Sequence, residues 1–70
     1  MKRNDFENIP RSRIELAIDE WIRSERDRNL LRRRLFDGIC YEPLAEEFGL
    51  SVRQTKNIIY KQQERLYKHL

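Results

Sequence analysis

The stretch Tyr41 to Tyr60, Y-E-P-L-A-E-E-F-G-L-S-V-R-Q-T-K-N-I-I-Y, carries two apolar stripes of helical spacing on either side of a glycine. Leu44, Ala45 and Phe48 precede Gly49, and Thr55, Ile58 and Ile59 follow it. Gly49 can take the positive φ that ends a helix and turns the chain sharply. Leu50 is placed to plug that turn. Ser51 stands three residues before Gln54, the spacing at which each side chain can bond the other residue's backbone amide at a helix start. Small Ala45 falls where the two helices must cross, so a larger side chain there would hold them apart. These residues predict a short helix over Tyr41 to Phe48 and a longer one after Ser51.

Working outward, Gly38 supplies the stop before the short helix. The start of that helix is unusual: Cys40 is a poor cap, and Pro43 has no amide for a cap to satisfy, so Pro43 belongs in the first turn, where a missing donor is harmless. Downstream no breaker appears before the last residue. Thr55, Ile58, Ile59, Gln62, Leu66 and Leu70 trace one face there, with the basic residues largely off it. Upstream, Ser12 stands three residues before Glu15 and Ser24 three before Asp27, marking two further helix starts. After Ser12 the row Ile14, Ala17, Ile18, Trp21 and Ile22 is one helical face, with Trp21 in the core. After Ser24, Leu30, Leu31 and Leu35 form a second stripe that closes near Asp37. No period-two run or hairpin dipeptide suggests a strand. The expected architecture is all-α, with four helices: a polar N-terminal segment over 1–11 and a helical domain over 12–70.

Composition narrows the possible functions. A chain of 70 residues can bury little over half of its unfolded surface, which leaves no room for two domains or a deep substrate pocket. Two glycines, set apart, leave no material for a phosphate-cradling loop. Apolar runs such as Ile39-Cys40-Tyr41 and Ile58-Ile59-Tyr60 are far shorter than the roughly 18–20 residues a membrane span needs. Met1 to Pro10 is polar, with Asp5 and Glu7, and lacks the apolar stretch of a secretory signal, so a soluble, cytoplasmic protein is expected. Cys40 has no partner cysteine and His69 is the sole histidine, so no disulfide, metal site or cofactor is expected. Cys40 reads as a small buried or capping residue and His69 as solvent-exposed. Glu46 and Glu47 point about 100° apart on a helix and have no base beside them, so they are not a catalytic pair and no enzyme is expected.

Residues 1–30 carry seven basic and seven acidic side chains, whereas 31–70 carry eight and five. Within Ser51–Leu70 the basic residues are Arg53, Lys56, Lys61, Arg65 and Lys68 against Glu64, a local balance of five minus one, +4. Such a stripe suits a polyanion. Facing outward near the start of the last helix are Val52, Arg53, Gln54, Lys56 and Asn57, then Tyr60 and Lys61. Arg can bond a guanine edge with two donors, Asn or Gln can do the same for adenine, and Val can touch a thymine methyl, while Lys and Tyr suit phosphate. The two helices and their turn therefore read as a helix-turn-helix at 41–60 for double-stranded DNA, with Arg53 and Asn57 aligned four residues apart. Arg32-Arg33-Arg34 reads as a solvated face, with phosphate contact as its second reading.

Over Ser24 to Leu70 the chain resembles region 4 of sigma factors of the sigma-70 type and the small regulators that share its helix-turn-helix. The residues that carry the resemblance are S-E-R-D-R-N-L-L, then D-G-I-C-Y-E-P-L-A-E-E-F-G-L-S-V-R-Q-T-K-N-I-I-Y, then Leu66. The resemblance implies that the last helix enters the major groove and that Tyr41 and Glu42 lie against the sugar-phosphate backbone. Arg33 and Gln62 depart from it, standing where such proteins often have apolar or small residues. Thr55 replaces a usual Val or Ile, and Pro43 a usual acidic residue. Thr55 is close to Val in shape, and its hydroxyl can bond a carbonyl one turn back. A complete sigma factor also needs a promoter-opening domain, so the expectation is a stand-alone, sequence-specific transcription regulator from bacteria, their phages or mobile elements. The rival expectation is a module that grips RNA polymerase or a sigma partner without reading bases. Ile59, Gln63, Leu66 and Leu70, at 4-3-4 spacing, offer a seam for a homodimer.

Overall fold

The computed structural model describes residues 9–70, which form α1 (Arg11–Trp21), α2 (Glu25–Leu35), α3 (Tyr41–Phe48) and α4 (Val52–Lys68), with no strand among the described residues. Residues 1–8 of the polar segment expected over 1–11 lie outside the described residues, and Arg11 already belongs to α1. The long α4 packs against each of the other three helices. Its buried Ile59 and Leu66 meet Ile18, Leu30, Leu31 and Leu44 in one core.

The helix α1 starts one residue before the expected cap. Pro10, with φ near −59°, occupies the cap position, and its carbonyl accepts from the amides of Arg13 at 3.0 Å and Ile14 at 3.2 Å. Proline's fixed φ sets the entry, so Ser12 sits in the first turn without capping it, and Glu15 pairs with Arg11 at 3.2 Å. Ile14, Ala17, Ile18 and Ile22 are buried as expected, but Trp21 is 41% exposed. Ile22, just beyond the end of α1, is 1% exposed, whereas Trp21 lies on the apolar stripe as the last residue of the helix with its large ring only partly covered. Its ring is covered by His69 of the α4 end, with centroids 3.7 Å apart and planes 4° from parallel. Arg65 donates to the Trp21 carbonyl at 3.4 Å.

Ser24 caps α2, accepting from the Asp27 amide at 3.3 Å. The helix ends at Leu35, two residues short of Asp37. Its C-terminal carbonyls are closed by Phe36 N–H to Arg32 at 2.9 Å and Ile39 N–H to Arg33 at 3.3 Å, with Gly38 at φ +67° making the reversal. Arg32 is paired with Asp19 across to α1. Arg33 binds Asp37 at 2.9 Å and Glu47 of α3 at 2.9 Å, so the arginine that departs from the expected pattern ties α2 to α3.

Cys40 occupies the cap position of α3 but makes no side-chain capping bond, and it is exposed rather than buried. Its carbonyl takes the Leu44 amide at 3.1 Å, and Pro43 lies in the first turn. Gly49, at φ +67°, ends α3. The Leu50 amide reaches the Ala45 carbonyl at 2.9 Å and the Gly49 amide reaches Glu46 at 3.3 Å, which closes the helix end with a Schellman pair. Ser51 and Gln54 then exchange both capping bonds, at 3.1 and 3.0 Å. Ala45 is 2% exposed, and Thr55 is fully buried with its hydroxyl donating to the Ser51 carbonyl at 2.9 Å. Ile59 and Leu66 are also fully buried inside the chain's own core. The row proposed as a homodimer seam therefore faces α1, α2 and α3, and only Gln63 and Leu70 of it reach partly to solvent.

Candidate nucleic-acid interface

Thr55, Ile59 and Leu66 fix the inward side of α4, and the 3.6-residue repeat then dictates what points out. Arg53, Lys56, Asn57, Tyr60 and Lys61 are exposed and form a continuous arc opposite that core. Arg53, Asn57 and Lys61 follow one another at steps of four, and Lys56 and Tyr60 form a parallel row beside them. Arg53, Lys56 and Lys61 have no carboxylate partner among the described residues. Glu64 and Arg65 follow Tyr60 and Lys61 in the two rows, so beyond Lys61 the exposed side of α4 is mixed in charge. Val52 is half-buried at the turn. Gln54 is exposed, but its carbonyl oxygen is engaged by the Ser51 amide, which leaves only its NH2 group to point outward.

Tyr41, at the start of α3, is half-buried and joins this arc to the rest of the molecule. Its ring meets Tyr60 edge to face, with centroids 6.1 Å apart. The Arg34 guanidinium lies 4.3 Å from the Tyr41 centroid and the Lys56 ammonium 5.5 Å from it. Two cations from different helices are thus held on one ring at the N-terminal, electropositive end of α3. Burial pushes the Tyr41 phenol above its ordinary pKa, with hydrogen bonding to Tyr60 adding to the rise and Arg34 opposing it. The phenol is accordingly a neutral hydrogen-bond donor near neutral pH.

The eight residues named from sequence are thus brought to one side of the molecule, with Val52 and Gln54 less available than the rest. Arg34, for which the sequence offered phosphate contact only as the second reading of the whole arginine triplet, joins them through Tyr41. Within the arginine triplet, Arg32 and Arg33 are neutralised by carboxylates, whereas Arg34 donates to the Ile39 carbonyl at 3.1 Å and has no acidic partner among the described residues. The i,i+4 spacing of Arg33 and Asp37 hints at the first assignment. Nothing local singles out Arg34, because Asp37 is also three residues from it. A groove of about 390 Å³ lined by Arg11, Arg32, Phe36, Glu47 and Phe48 among others lies between α1, α2 and α3 and includes none of the arc residues.

Among the described residues no group of three or more His, Cys, Asp or Glu is placed to hold a metal ion, and no helix is long and apolar enough to cross a membrane. No family model, curated protein or solved structure matches the chain.

Proposed function

We propose that the chain is a sequence-specific double-stranded DNA-binding regulator of transcription, with α3, the Gly49 turn and α4 acting as a helix-turn-helix of the sigma region 4 kind. The observation that carries this reading is the exposed arc Arg53, Lys56, Asn57, Tyr60 and Lys61 on a capped helix whose opposite side is locked into the core. In this reading α4 lies in the major groove, Arg53 and Asn57 meet base edges, and Gln54 and Val52 flank them. Tyr41, Tyr60, Lys56, Lys61 and Arg34 meet phosphates.

The test is a band-shift series over salt concentration, on a duplex selected from a random pool. With four or five phosphates contacted, log affinity falls against log salt with a slope on the order of −4, at about −0.9 per contact. Replacing Arg53 and Asn57 together by alanine removes the preference for the selected duplex but keeps the salt-dependent residual binding. A flat salt response, or a random pool that yields no enriched sequence, overturns the reading. Retention of an RNA polymerase pull-down by the same double variant, with no duplex bound by the parent, would favour a protein-binding module. One module of this size covers only roughly 600–1,000 Å² of its own surface on DNA, so tight binding calls for two half-sites. A pairing surface would have to lie off the buried Ile59 and Leu66 row.

A further inference from the structure

We infer that Asp27 and Gln62 are positioning residues that set the rotation of α4 about its own axis and thereby aim the reading arc; the inference rests on the function proposed above. Asp27 lies in the first turn of α2 and is 7% exposed. One of its carboxylate oxygens takes two bonds from the Arg26 guanidinium, at 3.0 and 2.9 Å, and the other accepts from Gln62 Nε2 at 2.8 Å. Gln62 stands on the core side of α4 between Ile59 and Leu66, a position of the helix otherwise given to apolar contact. Its other amide atom, Oε1, is buried with no hydrogen-bond partner. A pair that encloses a carboxylate and leaves an acceptor unmet is a poor way to gain stability, since well-packed apolar residues commonly do as well or better.

What the pair adds is direction. The remaining core face of α4 comes mainly from Thr55, Ile58, Ile59 and Leu66, and apolar burial is by itself non-directional. A charge-assisted bond between α2 and α4 fixes that angle about three turns from the Gly49 turn, which holds the other end. A rotation of about 20° carries side-chain tips at a radius of about 5–6 Å through about 2 Å. That is enough to part a two-donor contact from its base edge, because such contacts tolerate deviations of only about 0.5 Å.

The test uses the intact chain and three variants: Asp27→Leu with Gln62→Leu, Gln62→Leu alone, and Asp27→Asn. The double variant keeps its melting temperature within about 4 °C of the parent or exceeds it. In the DNA-free protein its Tyr41–Tyr60 ring contacts, read by nuclear Overhauser effects, weaken or multiply. Its preference for the selected duplex over an alternating inosine–cytosine duplex falls about tenfold, while affinity for the latter is unchanged. Gln62→Leu alone shows the same loosening of the ring contacts. Asp27→Asn keeps the parent pattern, because its amide can accept from Nε2 and also donate to the unmet Oε1. Failure of the double variant to fold, or a large fall in its melting temperature, assigns the pair to stability and overturns the inference. Unchanged ring contacts overturn it as well. If the parent selects no duplex, the proposed function fails, and the ring contacts alone still decide whether the pair sets α4.

Discussion

Thr55 shows how one side chain can depart from an apolar pattern without disturbing the core. It is fully buried, yet its hydroxyl finds the Ser51 carbonyl one turn back, a carbonyl that also accepts the Thr55 amide at 3.0 Å. Because Ser51 keeps that second donor, Thr55→Val leaves no polar group stranded. It is expected to change unfolding free energy by less than about 1 kcal/mol in urea titration. Ala45→Leu, at the 2%-exposed helix crossing, is expected to destabilise by about 1–3 kcal/mol in the same assay. Tyr41 offers a pH signature. Its phenol is raised above 10 in the folded chain, mainly by burial, so its contribution is fully present below the unfolded value and is lost as pH rises through the folded one. Stability should therefore fall on the alkaline side of about pH 10 more steeply in the parent than in Tyr41→Phe, as followed by circular dichroism. A shared slope would show that the ring's environment has no part in alkaline unfolding.

At the level of whole elements, the parts that could be read from sequence are those whose cause is local. Gly49, Ser51 and Gln54 determine the end of α3 and the start of α4 through bonds spanning three to five residues, and the turn forms as the spacing predicts. Ser24 caps α2 as the spacing predicts, but one way only, because the Asp27 carboxylate is held by Arg26 and Gln62. Ser12 does not, because Pro10 two residues earlier presets the backbone before the serine can cap. The features that could not be read depend on partners far along the chain: His69 against Trp21, Glu47 on Arg33, Tyr41 under Arg34 and Lys56, and Gln62 on Asp27. A periodic pattern identifies a face, but not how completely a large ring on it is covered by distant segments, which is why the stripe of α1 was legible and the exposure of Trp21 was not. The turn also yields a test. A Cβ at Gly49 would meet nothing within 4 Å, so the penalty of Gly49→Ala is the left-handed backbone alone, about 1–2 kcal/mol. Gly49→Asn, which tolerates that conformation better, is expected to lose less. If urea titration finds both variants equally damaged, the turn is constrained by something other than φ.

At the scale of the molecule, size decides how the parts depend on one another. The domain measures about 30 × 29 × 18 Å, too large to enter a major groove about 12 Å wide, so under the proposed function only the leading edge of α4 can do so, with α2 and α3 held behind it. That edge is kept in place by a core with little to spare. A chain of this length has a total stability of roughly 4–10 kcal/mol, whereas truncating a fully buried leucine or isoleucine to alanine costs about 2–5 kcal/mol. Leu44, from α3, and Ile59, from α4, are both fully buried and meet in the same core from the two sides of the turn. Leu44→Ala and Ile59→Ala should each lower the melting temperature by at least about 8 °C, given about 4–8 °C per kcal/mol for a domain this small. Neither residue belongs to the arc, so each variant should bind the selected duplex with near-parental affinity well below its own melting temperature and lose binding in step with helicity as it is warmed. Loss of binding well below the melting transition would mean that the core positions the arc locally, and that the domain does not unfold as one cooperative unit.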